Sequence, residues 1–378
     1  MKRLFSLASA VVMLMSGVLT ASAIEHTTPV KVQGCDYLYE MTCKKLNYAE
    51  GEKFLDTYNI LAKAGCSGVR VGNFHGRNLD WYKDDAKEYV VHIPAEEGRH
   101  ASVGVAAIIT SGSVYTESAR TLPQDTILKY LPYAAFDGIN DAGVVIQCNM
   151  TNTDYGATTG SNPDGEDLNS TMVPRFVLDN AGSVEEALKL LKERNVIMPK
   201  CFDMHWMISD PKRTVVVEYI KNEMRVDSTA NIITNFYVTL PYYQRTGMGI
   251  ERFNILKTFY PEGKTKEGMI KLLGRVRYTK QKDLSVFDTW VSEWNGTVVN
   301  GDTLTVYSTR DEERAKKQQE YNKEKEHWER NKGAWHTIHN ATYDIANRTV
   351  TIIAQEDTTK QYDFGLVQKE ENAETSVK

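Results

Sequence analysis

The 378-residue chain lacks HExxH, CxxC and GxSxG motifs and has no P-loop. Zinc peptidase, dithiol redox, serine-elbow and P-loop chemistry are therefore without their usual residues. His75 and His205 stand too isolated to be read as metal ligands, so neither a metal nor a cofactor is expected. Charge of one sign is also missing. Lys and Arg number 45 against 50 Asp and Glu, a net charge of −5, which provides no basic face for nucleic acid. Only one long apolar run exists, from Leu4 to about Leu19, between Lys2-Arg3 and Ala21-Ser22-Ala23. It is too short and wrongly flanked for a span and reads as a secretory signal peptide over residues 1–23. The expectation is a periplasmic or secreted protein without stable membrane insertion.

Cysteine is scarce and odd in number: Cys35, Cys43, Cys66, Cys148 and Cys201. An odd count in an exported protein leaves at least one free thiol. Cys35 and Cys43 are close enough in sequence to pair in an oxidising compartment. Cys148 and Cys201 sit in apolar surroundings, as buried thiols do. Cys66 remains.

What is present divides at that cysteine. Residues 24–65 form a leader that begins irregularly and turns helical from Tyr48 to Ala64, with Phe54, Leu55, Tyr58 and Leu61 on one face and Gly65 as the breaker. It reads either as an ordinary first helix or as a prosegment covering a site. From Cys66 on, strands dominate: 67–71, 74–81, 88–93, 103–109, 144–149, 204–209, 214–220, 224–226 and 232–238. Helices are expected at 125–135, 173–180, 183–194, 250–259 and 266–276, the third opened by a Ser183/Glu186 capping box. Turn residues mark 137–143, and 151–170 is a polar, Gly-rich loop. A mixed-charge run at about 310–332 reads as a solvated helical insertion, and 337–345 with 349–356 as a closing hairpin. Blocks of strands and pairs of helices predict a layered α+β architecture, with 66–378 as one domain.

The chemistry centres on Cys66. Once the chain is cut before it, its α-amine, with a pKa of about 7.7–8.0, is a general base on the same residue as the thiol. An Arg beside the sulfur favours the thiolate, and an Asp holds the ammonium. Arg77 and Asp80 have that chemistry, but regular strand alternation places them on opposite faces, so a twist or bulge is expected. Asn149 and Asn235, at strand ends, are candidate oxyanion donors. Trp81 and Tyr82 are candidate lining for an apolar acyl pocket, or ordinary core aromatics.

Five stretches carry a resemblance: Cys66-Ser67 with His75-Gly76-Arg77-Asn78-Leu79-Asp80-Trp81; Gly138 to Asn149; His205 to Asp210 with Val215 to Glu218; Ile233-Thr234-Asn235; and Gly249-Ile250-Glu251-Arg252-Phe253. In order and spacing the chain resembles the choloylglycine hydrolase family of N-terminal nucleophile hydrolases. That family includes bile salt hydrolases and penicillin V acylases. The chain is also similar to the acid ceramidase and N-acylethanolamine acid amidase group, whose members free their cysteine by self-cleavage and keep both pieces. The resemblance implies a four-layer αββα sandwich of two antiparallel sheets. It implies Cys66 as nucleophile, Arg77 and Asp80 as its partners, Asn149 and Asn235 on the oxyanion side and Arg252 as a late arginine of the site. The implied reaction is hydrolysis of a linear non-peptide amide through a thioester, after a cut at Gly65–Cys66.

The expected substrate is a conjugated bile salt or another small N-acyl amide with an apolar acyl group. Penicillin V acylase activity is the alternative, and a homo-oligomer is implied only by analogy. Two readings from other classes stand beside these: a non-catalytic exported binding protein, and a papain-like pairing of Cys66 with His75 or His205.

Overall fold

Every residue of Gly65–Val71, Asp203–Ser209 and Thr214–Ile220 is buried. Antiparallel strands with no exposed side chain must be covered on both faces. The computed structural model accounts for this with two sheets packed on each other and helices outside both. It describes residues 24–58, 65–82, 86–109, 122–151, 160–198, 203–240, 247–277, 297–300, 303–306, 335–354, 357 and 359–366.

The larger sheet has ten strands. Its order is Glu25–His26, Leu38–Lys45, Ala86–Ile93, Ser102–Ile109, Asp137–Asn140, Val145–Thr151, Asp203–Ser209, Thr214–Ile220 and Glu223–Asp227, with Val30–Lys31 also on Leu38–Lys45. All pairings are antiparallel except Leu38–Lys45 on Ala86–Ile93, which is parallel. The smaller sheet has six antiparallel strands: Ile232–Ile233, Gly65–Val71, Phe74–Tyr82, Trp335–Asp344, Thr349–Ala354 and Tyr362–Gly365. Between the sheets, Val103, Val105, Ile139 and Val145 meet Ala341, Tyr343, Val350 and Ile352. Outside the smaller sheet, Val69 and Val71 meet Leu256, Met269, Leu272 and Leu273 from helices Ile250–Thr258 and Lys266–Gly274. Outside the larger sheet, Val91, Ile146 and Cys148 meet Phe176 and Val177 of helix Val173–Asn180. The fold is thus α+β, in the αββα order. Each fully buried Leu, Val or Met in these layers contributes roughly 1.5–3 kcal/mol.

Among the described residues the main strands and helices predicted from Cys66 onward are present in that order, short strands such as Asp167–Asn169, Asn195–Ile197 and Tyr362–Gly365 are additional, and four local differences bear on the site. Asp137–Asn140, expected as a turn, is an inner strand paired on both edges, and the chain turns only afterwards, at Gly143 with φ +83°. Asp and Asn have poor strand propensity; here their side chains bond within the interior instead. The stretch 232–238 splits into Ile232–Ile233 and Asn235–Phe236, which pair with different strands, and Thr234 makes the break. The leader does not begin irregularly: it supplies Leu38–Lys45, whose Leu38, Met41 and Cys43 are buried. Gly65 is the first residue of a strand.

Helix Tyr48–Tyr58 is present, but 59–64 lie outside the described residues, as do Cys201, positions 152–159 of the polar loop and the charged run at 310–332. Cys35 and Cys43 are both free. They sit in different core clusters, Cys35 between the sheets and Cys43 against the helices, so the pairing considered from their spacing is not made.

Candidate active site

The register of Gly65–Val71 against Phe74–Tyr82 places Cys66 opposite Leu79 and Gly65 opposite Asp80. Side chains alternate across a strand. Cys66, Arg77 and Leu79 therefore face the larger sheet, while Gly65, Ser67, Asn78 and Asp80 face the helices. Gly76 also lies on the helix side, and the packing there explains its glycine: a Cβ would lie 2.5 Å from Met269 Sδ and 2.8 Å from Leu273 Cδ1.

Alternation thus divides the candidate partners between the two functional groups of Cys66, and no twist of Phe74–Tyr82 is needed. The irregularity in this region falls on the neighbouring strand, between Thr337 and His339. On the inner face, Arg77 Nη2 donates to Cys66 Sγ at 3.3 Å and to the Cys148 carbonyl at 3.2 Å, while Nη1 is held by Asp137. On the other side, the Cys66 N–H donates to Asn235 Oδ1 at 2.8 Å. Arg252, in the first turn of helix Ile250–Thr258, gathers that side. It donates to the Cys66 carbonyl, to Ser67 Oγ at 3.0 Å, to Asp80 Oδ2 at 3.2 Å and to Asn235 Oδ1 at 2.7 Å.

Gly249, which caps that helix, is left-handed with φ +91°, and a Cβ on it would lie 2.6 Å from Arg252 Nη2. Asp80 Oδ1 accepts from Thr337 Oγ1 at 2.6 Å. Gly65 is in ordinary strand conformation, so its glycine is not explained by backbone strain. A Cβ there would lie 3.1 Å from Asp80 Cβ and 3.3 Å from Oδ2, so glycine leaves room for the carboxylate.

The other predicted residues are placed as follows. Asn149 is buried, accepts from Gln147 Nε2 at 2.8 Å and donates to the Thr234 carbonyl at 2.9 Å. Asn235 turns its oxygen, not its NH2, toward Cys66; its Nδ2 donates to the Met150 carbonyl at 2.8 Å. Trp81 is fully enclosed in the core cluster that contains Cys66. The Tyr82 side chain lies outside the described residues. Both histidines of the papain-like reading have their ring nitrogens engaged away from the thiol. His75 is bonded to Ser209 Oγ and Gln147 Oε1, each at 2.8 Å. His205 is bonded to Glu218 Oε1 at 2.8 Å and the Thr234 carbonyl at 2.9 Å.

Burial pushes the Cys66 thiol up, against the pull of Arg77. Arg77 is also fully buried, but Asp137, Cys66 and Cys148 together outweigh that cost and hold its charge firmly. Cys148 is pushed up to about 12 by burial. Among the described residues no group of three His, Cys, Asp or Glu side chains is placed to hold a metal ion. The sequence reading missed Asp137, His339, Glu88 and Thr337. Their one local signal was Asp137-Gly138, which reads equally well as a turn.

A family model described as linear amide C-N hydrolases, choloylglycine hydrolase family, matches residues 66–257, just over half of the chain, and begins at Cys66. The chain belongs to the choloylglycine hydrolase family. Similar solved structures include a mutant of the conjugated bile acid hydrolase from Clostridium perfringens, at 16% identity, covering 79% of this chain and 92% of that one with a TM-score of 0.46. A second variant of that hydrolase has 16% identity, coverage of 81% and 100%, and a TM-score of 0.43. Penicillin V acylase from Agrobacterium tumefaciens has 15% identity, coverage of 76% and 82%, and a TM-score of 0.39. No curated protein matches the chain.

Proposed function

We propose that this member of the choloylglycine hydrolase family is an exported cysteine amidohydrolase, activated by a cut at Gly65–Cys66. The observation that carries the reading is the division of partners around Cys66, with Arg77 on its sulfur and Asn235, Arg252 and Asp80 on its backbone side. In the uncut chain the residue is only 1% exposed and burial keeps the thiol protonated, which fits a latent precursor.

After the cut, the free α-amine takes the proton from Sγ, and the thiolate attacks the carbonyl carbon of the substrate amide. Asn149 is the oxyanion donor of choice: an amide nitrogen carries two hydrogens, and one is used on Thr234. The C–N bond breaks, the leaving amine takes the proton from the α-ammonium, and a thioester remains. The same amine then deprotonates water, which hydrolyses the thioester and restores the thiol. Asn235 holds the α-nitrogen, Arg252 holds Asn235 and the Cys66 carbonyl in place, and Asp80 stabilises the charged form of the amine.

The proposed substrates are conjugated bile salts or other N-acyl amides with an apolar acyl group. Export rests on the apolar leader that ends at Ala23. The test is N-terminal sequencing and intact mass of the purified protein, with assays on glycine- and taurine-conjugated bile salts, N-acylethanolamines and penicillin V. A large piece starting at Cys66 that hydrolyses one of these supports the reading. Cys66→Ala should remain a single chain without activity; wild-type turnover in that variant would refute it.

A further inference from the structure

Behind Arg77, on the side away from Cys66, ionisable groups form a continuous row between the two sheets. Asp137 Oδ2 takes Arg77 Nη1 on one side and His339 Nε2, at 3.2 Å, on the other. His339 Nδ1 is bonded to Glu88 Oε1, and Tyr343 donates its hydroxyl to Asp137 Oδ1. All five side chains are 0% exposed. They come from four separate strands: Phe74–Tyr82, Ala86–Ile93, Asp137–Asn140 and Trp335–Asp344.

Burying such a row is costly, and an apolar set of the same volume would be no less stable. The row does have an electrostatic consequence. Asp137 alone would cancel the charge of Arg77. A protonated His339 shares that carboxylate while Glu88, on its far side, offsets the imidazolium, so the row is neutral as a whole but the Asp137 carboxylate beside Arg77 is divided between two cations. Glu88 and Asp137 together overcome the effect of burial and raise His339 to about 9, so it carries its proton at neutral pH.

We propose that His339, held by Glu88, is a positioning residue: by sharing Asp137 it keeps the Arg77 guanidinium aimed at Cys66 Sγ and keeps Asp137 from fully neutralising it. This rests on Cys66 being the nucleophile. Glu88, Asp137 and, through Asp137, Arg77 and Tyr343 face His339. His75 stands edge-on to Tyr343 at 6.2 Å and is kept neutral by burial, which lowers it to about 4.

The experiment compares processed wild type, His339→Gln and Glu88→Gln. It measures Cys66 alkylation by iodoacetamide, read by mass spectrometry across pH, together with kcat, KM and Tm. In wild type, loss of activity must track Cys66 labelling; if it does not, the nucleophile reading itself fails, whatever His339 does. In His339→Gln, alkylation near neutral pH and kcat should each fall about tenfold, the change that one pKa unit produces, with KM unmoved. Glu88→Gln lets His339 drop toward its ordinary value, so activity near pH 6 should persist while the alkaline limb moves down in pH. A folded His339→Gln with a wild-type alkylation profile overturns the proposal, even if its Tm falls. Should that variant not fold, an unmoved alkaline limb in Glu88→Gln overturns it.

Discussion

Gly249 is the residue on which Arg252 depends. Its left-handed φ of +91° starts the helix, and its missing Cβ leaves space for the guanidinium. Gly249→Ala should cost about 1–3 kcal/mol in chemical denaturation, through strain at that φ. It should also lower kcat by displacing Arg252 from Asn235 and the Cys66 backbone. Wild-type kcat in the folded variant would show that Arg252 is not needed where it lies. At this scale much is legible in the sequence, because Cys66, Arg77, Asp80, Asn149, Asn235 and Arg252 sit in short, ordered stretches with recognisable chemistry. Strand alternation already separates Arg77 from Asp80 on paper, yet there it looks like an obstacle. A thiol and an amine on one residue need partners on different sides. Asp137, Glu88 and His339 are not legible: 202 positions separate His339 from Asp137 and 251 separate it from Glu88, and only the sheet packing brings them together.

At the scale of elements, the leader is the main revision. Leu38–Lys45 lies parallel to Ala86–Ile93, and Met41, Cys43, Phe54 and Leu55 enter the main core. Tyr133 accepts from the Asn47 N–H, and Tyr48 packs edge-on to the Tyr133 ring at 5.8 Å. Burial of Leu38 and these four apolar side chains is worth on the order of 10 kcal/mol before association costs. A cut at Gly65–Cys66 should therefore leave both pieces together, co-eluting in size exclusion and separating only in denaturant. Separate elution of the large piece would refute this. The sequence hides the strand because its burial pattern is irregular, with Leu38, Met41 and Cys43 buried at uneven spacing. It hides the break at Thr234 because Ile232 to Val238 is uniformly strand-like, and what divides it is a carbonyl used by Asn149 and His205.

For the whole molecule, two buried histidines give stability opposite pH dependences. His75 is lowered to about 4, so it favours folding where it is neutral, and that contribution is lost as pH falls from about 6.5 toward 4. His339 is raised to about 9, so its contribution is complete below about 6.5 and is lost as pH rises toward 9. Each shift is worth on the order of 3 kcal/mol. Urea midpoints measured from pH 4 to 9 should therefore peak near about pH 6.5, and His339→Gln should flatten the alkaline side alone. The parallel pairing of the leader has a further consequence, in time and concentration. Before any cut, Leu38–Lys45 and Ala86–Ile93 find each other within one chain, at a rate independent of dilution. After the proposed cut the same register would have to be found between two molecules, so refolding after denaturation should become second order and fail in dilute solution. On the proposed cut, the peptide link before Cys66 would be an assembly tether used once, and the processed protein would hold a shape that it could not readily regain.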